Sequence, residues 1–358
     1  MENKSAILEG LDEQQRAAVC QTEGPVLIVA GAGAGKTRVL TGRIAYILEN
    51  GGEPDRILAL TFTKKAAAEM KARIAAIVGE KKARRLYMGT FHSVFIRFLR
   101  EFAESLGYPS SFTIYDTSDS ISAIKSCLKE MKLDDKVYKP KDVLSRISMA
   151  KNNLITPQAY KKDAQAIIND THAKKPEICN IYARYAEKCR QAGVMDFDDI
   201  LLNMNILFRD NPEALDSVAS RFDYILVDEY QDTNVAQYLI LKKLSQKHHN
   251  ICVVGDDSQS IYAFRGAKIE NILNFRRDYP DYKLFRLERN YRSTQVIVDA
   301  ANSVIENNES RIPKTCFSKG PEGDLIHLIK AYTEQEEAVL IASSIVSRME
   351  KDHCQYQD

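Results

Sequence analysis

The apolar positions of the chain follow two alternating rhythms. Short β-branched runs, 26-VLIVA-30 and 57-ILALTF-62, are bounded by turns. Each is followed by a stretch in which apolar residues recur every three or four positions, 37-TRVLTGRIAYIL-48 and 64-KKAAAEMKARIAAIV-78. A short, unbroken apolar run reads as a strand buried on both faces, and the longer periodic stretches read as helices lying over it. Strands alternating with helices of this length predict an α/β fold built on a parallel sheet covered on both sides.

From about Phe112 to Asp216 the rhythm changes. Strand-like runs disappear, helical periodicity takes over, and Ser118, Thr156 and Asp196 stand where N-caps are expected. Strands return at 224-YILV-227 and 251-ICVV-254, so the helical block reads as an insertion. After Pro280 the pattern gives a strand at 284-LFRL-287, a helix near 295–307, a strand at 325-LIHLI-329 and a helix near 334–349. The expected division is 1–111 and 196–280 for two parts of one α/β unit, 112–195 for the insertion, and 281–358 for the beginning of a second, incomplete unit.

Composition changes this picture in three ways. The net charge is +1, so any nucleic-acid surface must come from local clusters, such as Lys64, Lys65, Lys71 and Arg73, or 81-KKARR-85. The seven cysteines are scattered and contain no CxxC, which argues for a reduced compartment and against a disulfide framework or zinc site. The N-terminus carries no signal-peptide h-region, and no apolar run approaches the roughly 18 residues of a membrane span. A cytoplasmic chain with no membrane partner is expected.

The chemistry gathers where strands end. In 30-AGAGAGKT-37, Gly31, Gly33 and Gly35 allow backbone N–H groups to curl around phosphate oxygens at a helix N-terminus. Lys36 would reach the β/γ-phosphates and Thr37 would ligate Mg²⁺, although the usual first glycine of this pattern is Ala30 here. A loop of this kind needs a second Mg²⁺ anchor on a neighbouring strand, and 225-ILVDEYQDTN-234 offers Asp228, with Glu229 placed to take a proton from attacking water. Phosphoryl transfer also needs a group that positions water and a cation that neutralises developing charge. Gln259, in 253-VVGDDSQSIYAFRGA-267, and Arg292, in 287-LERNYRST-294, could serve, though spacing alone leaves surface salt bridging equally open for the arginine.

Taken in order, 11-LDEQQ-15, 30-AGAGAGKT-37, 61-TFTKKAAAEMKARI-74, 89-GTFHS-93, 196-DFDDIL-201, 226-LVDEYQDTN-234, 254-VGDDSQSIYAFRGA-267 and 288-ERNYRST-294 resemble the motifs of superfamily 1 DNA helicases of the UvrD/PcrA/Rep type. The resemblance implies a RecA-like P-loop NTPase lobe with a helical insertion and the start of a second RecA-like lobe, using ATP and Mg²⁺ to move 3′ to 5′ on single-stranded DNA in repair or replication. It implies that Gln15 reads the adenine and Tyr291 stacks on it. Gln259 would sense the γ-phosphate, and Arg292 would act as an arginine finger. Phe62, Lys64, His92, Tyr262, Phe264 and Arg265 would contact the single strand near duplex junctions, with Phe264 standing where the family usually has Trp. The family's later motifs have no counterpart here. The chain is therefore expected to be the N-terminal part of a helicase, with weak or absent hydrolysis by itself. Competing expectations are a nucleotide- and DNA-binding module without motor activity, the motor of a helicase–nuclease, and, more remotely, a small-molecule kinase.

Overall fold

The computed structural model describes residues 6–356; the first five and last two residues of the expected segments lie outside the described residues. Its strands in chain order are β1 (Val26–Ala30), β2 (Ile57–Thr61), β3 (Tyr87–Thr90), β4 (Thr113–Tyr115), β5 (Val194–Asp196), β6 (Tyr224–Val227), β7 (Ile251–Gly255), β8 (Lys283–Leu287), β9 (Arg289–Asn290) and β10 (Phe317–Ser318). Six of them form one sheet in the order β3-β2-β6-β7-β1-β8, every pairing parallel. All five residues of β1, β2 and β7 are buried, as a sheet covered on both faces requires.

Strand alternation divides the core. Leu27, Val29, Leu58, Leu60, Val227 and Val253 face one side and pack with Phe95, Leu201 and Ile240. Val26, Ile28, Ile57, Leu226, Cys252 and Val254 face the other and pack with Val39, Ile44, Met70 and Ile74. The period of two along each strand produces both sets from the same runs.

The insertion has a core of its own, including Ile124, Leu128, Ile147, Tyr182 and Tyr185. Its entry and exit are joined by β4 and β5, a parallel pair that the sequence pattern does not show because three residues are too few to set a rhythm. Thr156 and Asp196 cap helices as expected. Ser118 does not: Asp116 caps the helix Thr117–Glu130, accepting from the Asp119 N–H at 2.8 Å within a reciprocal capping box. The helix Pro140–Asn152 is tied back to the sheet lobe by Lys151, whose buried Nζ lies 2.6 Å from Asp196 and 2.7 Å from Asp199.

Beyond Pro280 the structure differs from expectation twice. β8 does not open a second sheet; it pairs with β1 from Val26↔Lys283 to Ala30↔Leu287 and forms the edge of the first. A periodic pattern announces a strand but not the edge that will accept it. The second difference is 325–329, which pairs with no strand among the described residues and leaves Leu325, Ile326, Leu328 and Ile329 exposed. The helices Gln295–Ile305 and Glu334–Lys351 form, but the latter buries no residue.

Candidate functional site

The six-stranded sheet brings the singled-out motifs to the carboxyl ends of its strands, where open α/β sheets leave a crevice. β1 runs into the glycine-rich loop and then the helix Lys36–Glu49. Gly33 (φ +68°) and Gly35 (φ +84°) adopt left-handed conformations, and at both a Cβ would come within 2.9 Å of a neighbour, Arg292 Cβ or Gln15 Nε2 respectively. Freedom of backbone was expected at Gly31 as well. Gly31 is absent from the positive-φ positions, and its constraint is space, because a Cβ there would lie 2.3 Å from Cys316 Sγ. Gly35 caps its helix without a side-chain hydrogen bond, leaving first-turn N–H groups for an anion.

Side chains from both ends of the chain brace this loop. Buried Gln15 donates from Nε2 to the Ala34 carbonyl at 3.0 Å, while its Oε1 accepts from the Asp12 N–H at 3.2 Å. Asn290 donates to the Ala32 carbonyl at 2.8 Å and accepts from the N–H groups of Arg292 and Ser293. The Tyr291 N–H reaches the Gly33 carbonyl at 3.0 Å. The Tyr291 hydroxyl donates to Asp12, and the Arg289 guanidinium sits 4.6 Å from its ring centre. Asn290 was missed in the sequence, although an asparagine beside the arginine of 288-ERNYRST-294 is the residue type that folds its amide onto local backbone. Arg292 itself is exposed beside Gly33.

The acid pair follows β6. Asp228 is 4 % exposed; burial, reinforced by the charge of Glu229, pushes its pKa up to about 6. Glu229 is non-glycine in a left-handed conformation (φ +48°), which costs energy and persists at sites that require it. Its carboxylate accepts from Lys36 Nζ at 3.1 Å and from Gln231 Nε2 at 2.9 Å. Gln231 Oε1 accepts in turn from the Asp256 N–H at 3.0 Å, and Asp256 Oδ2 accepts from Gln259 Nε2 at 2.6 Å. A continuous hydrogen-bond path thus links Lys36 to Gln259.

Thr37, Asp228, Glu229 and Gln259 line a cleft of about 1000 Å³. The same cleft is also lined by Phe62, Lys64, His92, Tyr262, Phe264 and Arg265, and by residues of the insertion that include Met149 and Asn152. Phe264 is 70 % exposed, and the Arg265 guanidinium lies 5.3 and 5.5 Å from the Tyr262 and Phe264 ring centres. Phe62 is partly buried and leans on Phe91. Burial lowers the His92 pKa to about 4, so its imidazole is neutral at pH 7. A further lining residue is Phe197, 56 % exposed and stacked on His92 with 3.8 Å between ring centres. Its motif, 196-DFDDIL-201, is legible in the sequence, but nothing local marks the aromatic in it as a lining residue. Gln15, the three glycines, Lys36, Tyr291 and Arg292 do not line the cleft; Lys36 reaches it through its contact with Glu229, which does.

Residues 11–280 match the family model described as UvrD/REP helicase N-terminal domain, and 285–358 match the UvrD-like helicase C-terminal domain. The chain belongs to the UvrD/REP helicase family. Among similar family members is the ATP-dependent DNA helicase PcrA of Leuconostoc citreum, 44% identical over 353 residues, covering 98% of this chain and 46% of that protein. PcrA of Staphylococcus epidermidis is 46% identical over 343 residues (96% and 46%), and PcrA of Staphylococcus aureus 44% over 355 (99% and 48%). The chain spans about half the length of these curated relatives. Among the described residues of this family member, no helix is long and apolar enough to cross a membrane. Nor does any group of three or more His, Cys, Asp or Glu side chains there form a metal-holding cluster.

Proposed function

We propose that this chain is the ATP-hydrolysing, strand-gripping portion of a 3′–5′ DNA helicase acting on single-stranded DNA and its duplex junctions, in a cytoplasmic setting that suits its free thiols. One observation carries the reading: a single cleft is lined both by phosphoryl-transfer residue types and by exposed aromatic rings. Aromatic faces stack on any base and so bind a strand without reading sequence. The relatives named above are ATP-dependent DNA helicases, which agrees with it. On this reading 1–111 with 196–280 form the first lobe, 112–195 its insertion, and 281–358 the start of the second, with β8 lent to the first sheet.

The geometry supports the following roles. Open N–H groups at Gly35 and the helix start bind phosphate, and Lys36 turns from Glu229 to the phosphate chain when nucleotide enters. Thr37 and Asp228 would hold Mg²⁺, which supplies charge neutralisation at the phosphates. Both are hard oxygen donors, and a buried carboxylate with a raised pKa is one that a cation would relieve. Two protein ligands are enough, because Mg²⁺ bound to nucleotide takes its remaining oxygens from phosphate and water. Glu229, released by Lys36, accepts the proton of the attacking water. Gln259 orients the γ-phosphate side of the cleft, and Arg292 neutralises charge beside Gly33. Gln15 and Tyr291 frame the base near Asp12.

The test is ATP hydrolysis with and without oligo(dT), beside Glu229→Gln and Lys36→Ala. Loss of the general base should lower turnover by about 10²–10⁴-fold while nucleotide still binds. A folded chain that binds no Mg²⁺–ATP would overturn the reading. A second reading, binding without motor activity, is favoured by the helix Glu334–Lys351, which buries nothing. Nucleotide binding without turnover in any condition would select it.

A further inference from the structure

β7 also ends in two carboxylates, Asp256 and Asp257, both 2 % exposed. Neither lines the cleft. Their partner comes from a distant part of the chain: Lys314 Nζ lies 2.9 Å from Asp256 Oδ1 and 2.8 Å from Asp257 Oδ1, and donates to Ser258 Oγ at 3.0 Å. The remaining oxygens are also satisfied. Asp257 Oδ2 accepts from the Ile312 N–H at 2.9 Å, and Asp256 Oδ2 accepts from Gln259 Nε2 at 2.6 Å. Burial disfavours charge on Lys314, but the two aspartates outweigh it and raise its pKa.

The lysine is fixed from its own side too. The Arg286 Nε donates to the Pro313 carbonyl at 2.9 Å, and Asn302 donates to the Cys316 carbonyl at 2.8 Å. Asn302 belongs to the helix Gln295–Ile305, which begins just after Arg292. Lys314 therefore joins the segment carrying Arg292 to the loop carrying Gln259, across the junction between the two family-model regions.

We propose that Lys314 is a positioning residue that fixes the Gln259 amide by holding Asp256, so that a shift of the 311–318 segment is felt at the γ-phosphate end of the cleft. The proposal rests on the reading of Gln259 as a phosphate sensor. Two features make the tether directional. Asp256 is shared, with one oxygen on Lys314 and the other on Gln259. Its N–H also anchors Gln231, which holds Glu229. Displacing the lysine leaves Asp256 and Asp257 as adjacent buried carboxylates without a cation, and their repulsion must move the loop.

The first measurement is hydrogen–deuterium exchange of the nucleotide-free 358-residue chain. Lys314→Met should raise exchange across 256–262 at least tenfold while β1 and β2 stay protected, and Lys314→Arg should restore most of the protection. Because Lys314→Met leaves two uncompensated charges, Lys314→Met/Asp257→Asn keeps the net charge of the cluster and provides a second variant if the first fails to fold. Unchanged exchange in 256–262 in a folded variant overturns the tether. The second measurement separates kcat from KM for DNA-stimulated hydrolysis. Misplacing Gln259 should lower kcat about tenfold with KM for ATP within twofold. Adding Gln259→Ala should then cost nothing more, whereas independent, multiplicative losses would overturn the functional link. If the unsubstituted chain hydrolyses no ATP, the reading of its activity fails, and exchange still decides whether Lys314 positions the loop.

Discussion

Neighbouring strands β6 and β7 pair in parallel, Val227 opposite Val253, and each ends in two consecutive acids, Asp228–Glu229 and Asp256–Asp257. Their fates differ. The first pair opens on the cleft, with one member left-handed and a single lysine that touches only Glu229. The second is buried, bridged by the single cation Lys314 and hydrogen-bonded by the Ser258 and Ile312 N–H groups and the Gln259 amide. Burying a carboxylate costs free energy that some partner must offset. Where the fold supplies the partner, the acids act as a joint. Where it leaves one acid with a raised pKa, a ligand can supply it.

Removing the lysine from each pair tests that contrast most strongly. Lys314→Met strands two buried charges and should lower stability by about 3–5 kcal/mol. Lys36→Met leaves Glu229, whose side chain is 36 % exposed, free to be solvated, and should change stability by less than about 1 kcal/mol. Urea midpoints of the two variants against the unsubstituted chain measure both. Equal losses would mean that the pairs do not differ in kind.

A pH series sharpens the same point. The Asp228 pKa is raised to about 6 from 3.8 by burial and by Glu229. Between about pH 4 and 6 the folded chain therefore holds a proton that the unfolded chain has released, so this group's contribution falls as pH rises through that window. The full swing is at most about 3 kcal/mol. Asp228→Asn should remove it, so that on going from about pH 4.5 to 7 the variant's urea midpoint moves upward relative to that of the unsubstituted chain. A variant whose pH dependence matches the unsubstituted chain would contradict the assignment.

How much of this was legible beforehand follows the range of the interactions. β1, β2, β6 and β7 are written in unbroken apolar runs, and the glycine-rich loop in local spacing, so both could be read directly. The partner of a strand or a charge is not local. Nothing near Lys283–Leu287 announces that β1 will accept it, and nothing near Asp256 points to a lysine 58 residues away (314 − 256). For the same reason 325-LIHLI-329 has the composition of a strand without the neighbour that would make it one. The stack of Phe197 on His92 likewise brings together two motifs that are over a hundred residues apart (197 − 92).

The smallest expected effect lies at an aromatic residue that lines the cleft and touches neither acid pair. Phe264 is exposed, and its ring touches Tyr262 with 5.9 Å between centres, so the fold gains little from it. Phe264→Ala should leave stability within about 0.5 kcal/mol. If the ring stacks on a base, the same substitution should weaken oligo(dT) binding by about 1–3 kcal/mol. Phe264→Trp, with a larger face, should tighten it. Anisotropy of a labelled oligo(dT) at fixed salt reads both changes. The effect should be independent of Glu229→Gln, because Glu229 is held by Lys36 and Gln231 whereas Phe264 meets Tyr262 and Arg265, and sites that share no partner contribute additively. Affinity indifferent to both substitutions at 264 would remove this ring from the strand's path and leave Phe197, Phe62 and Tyr262 to form it.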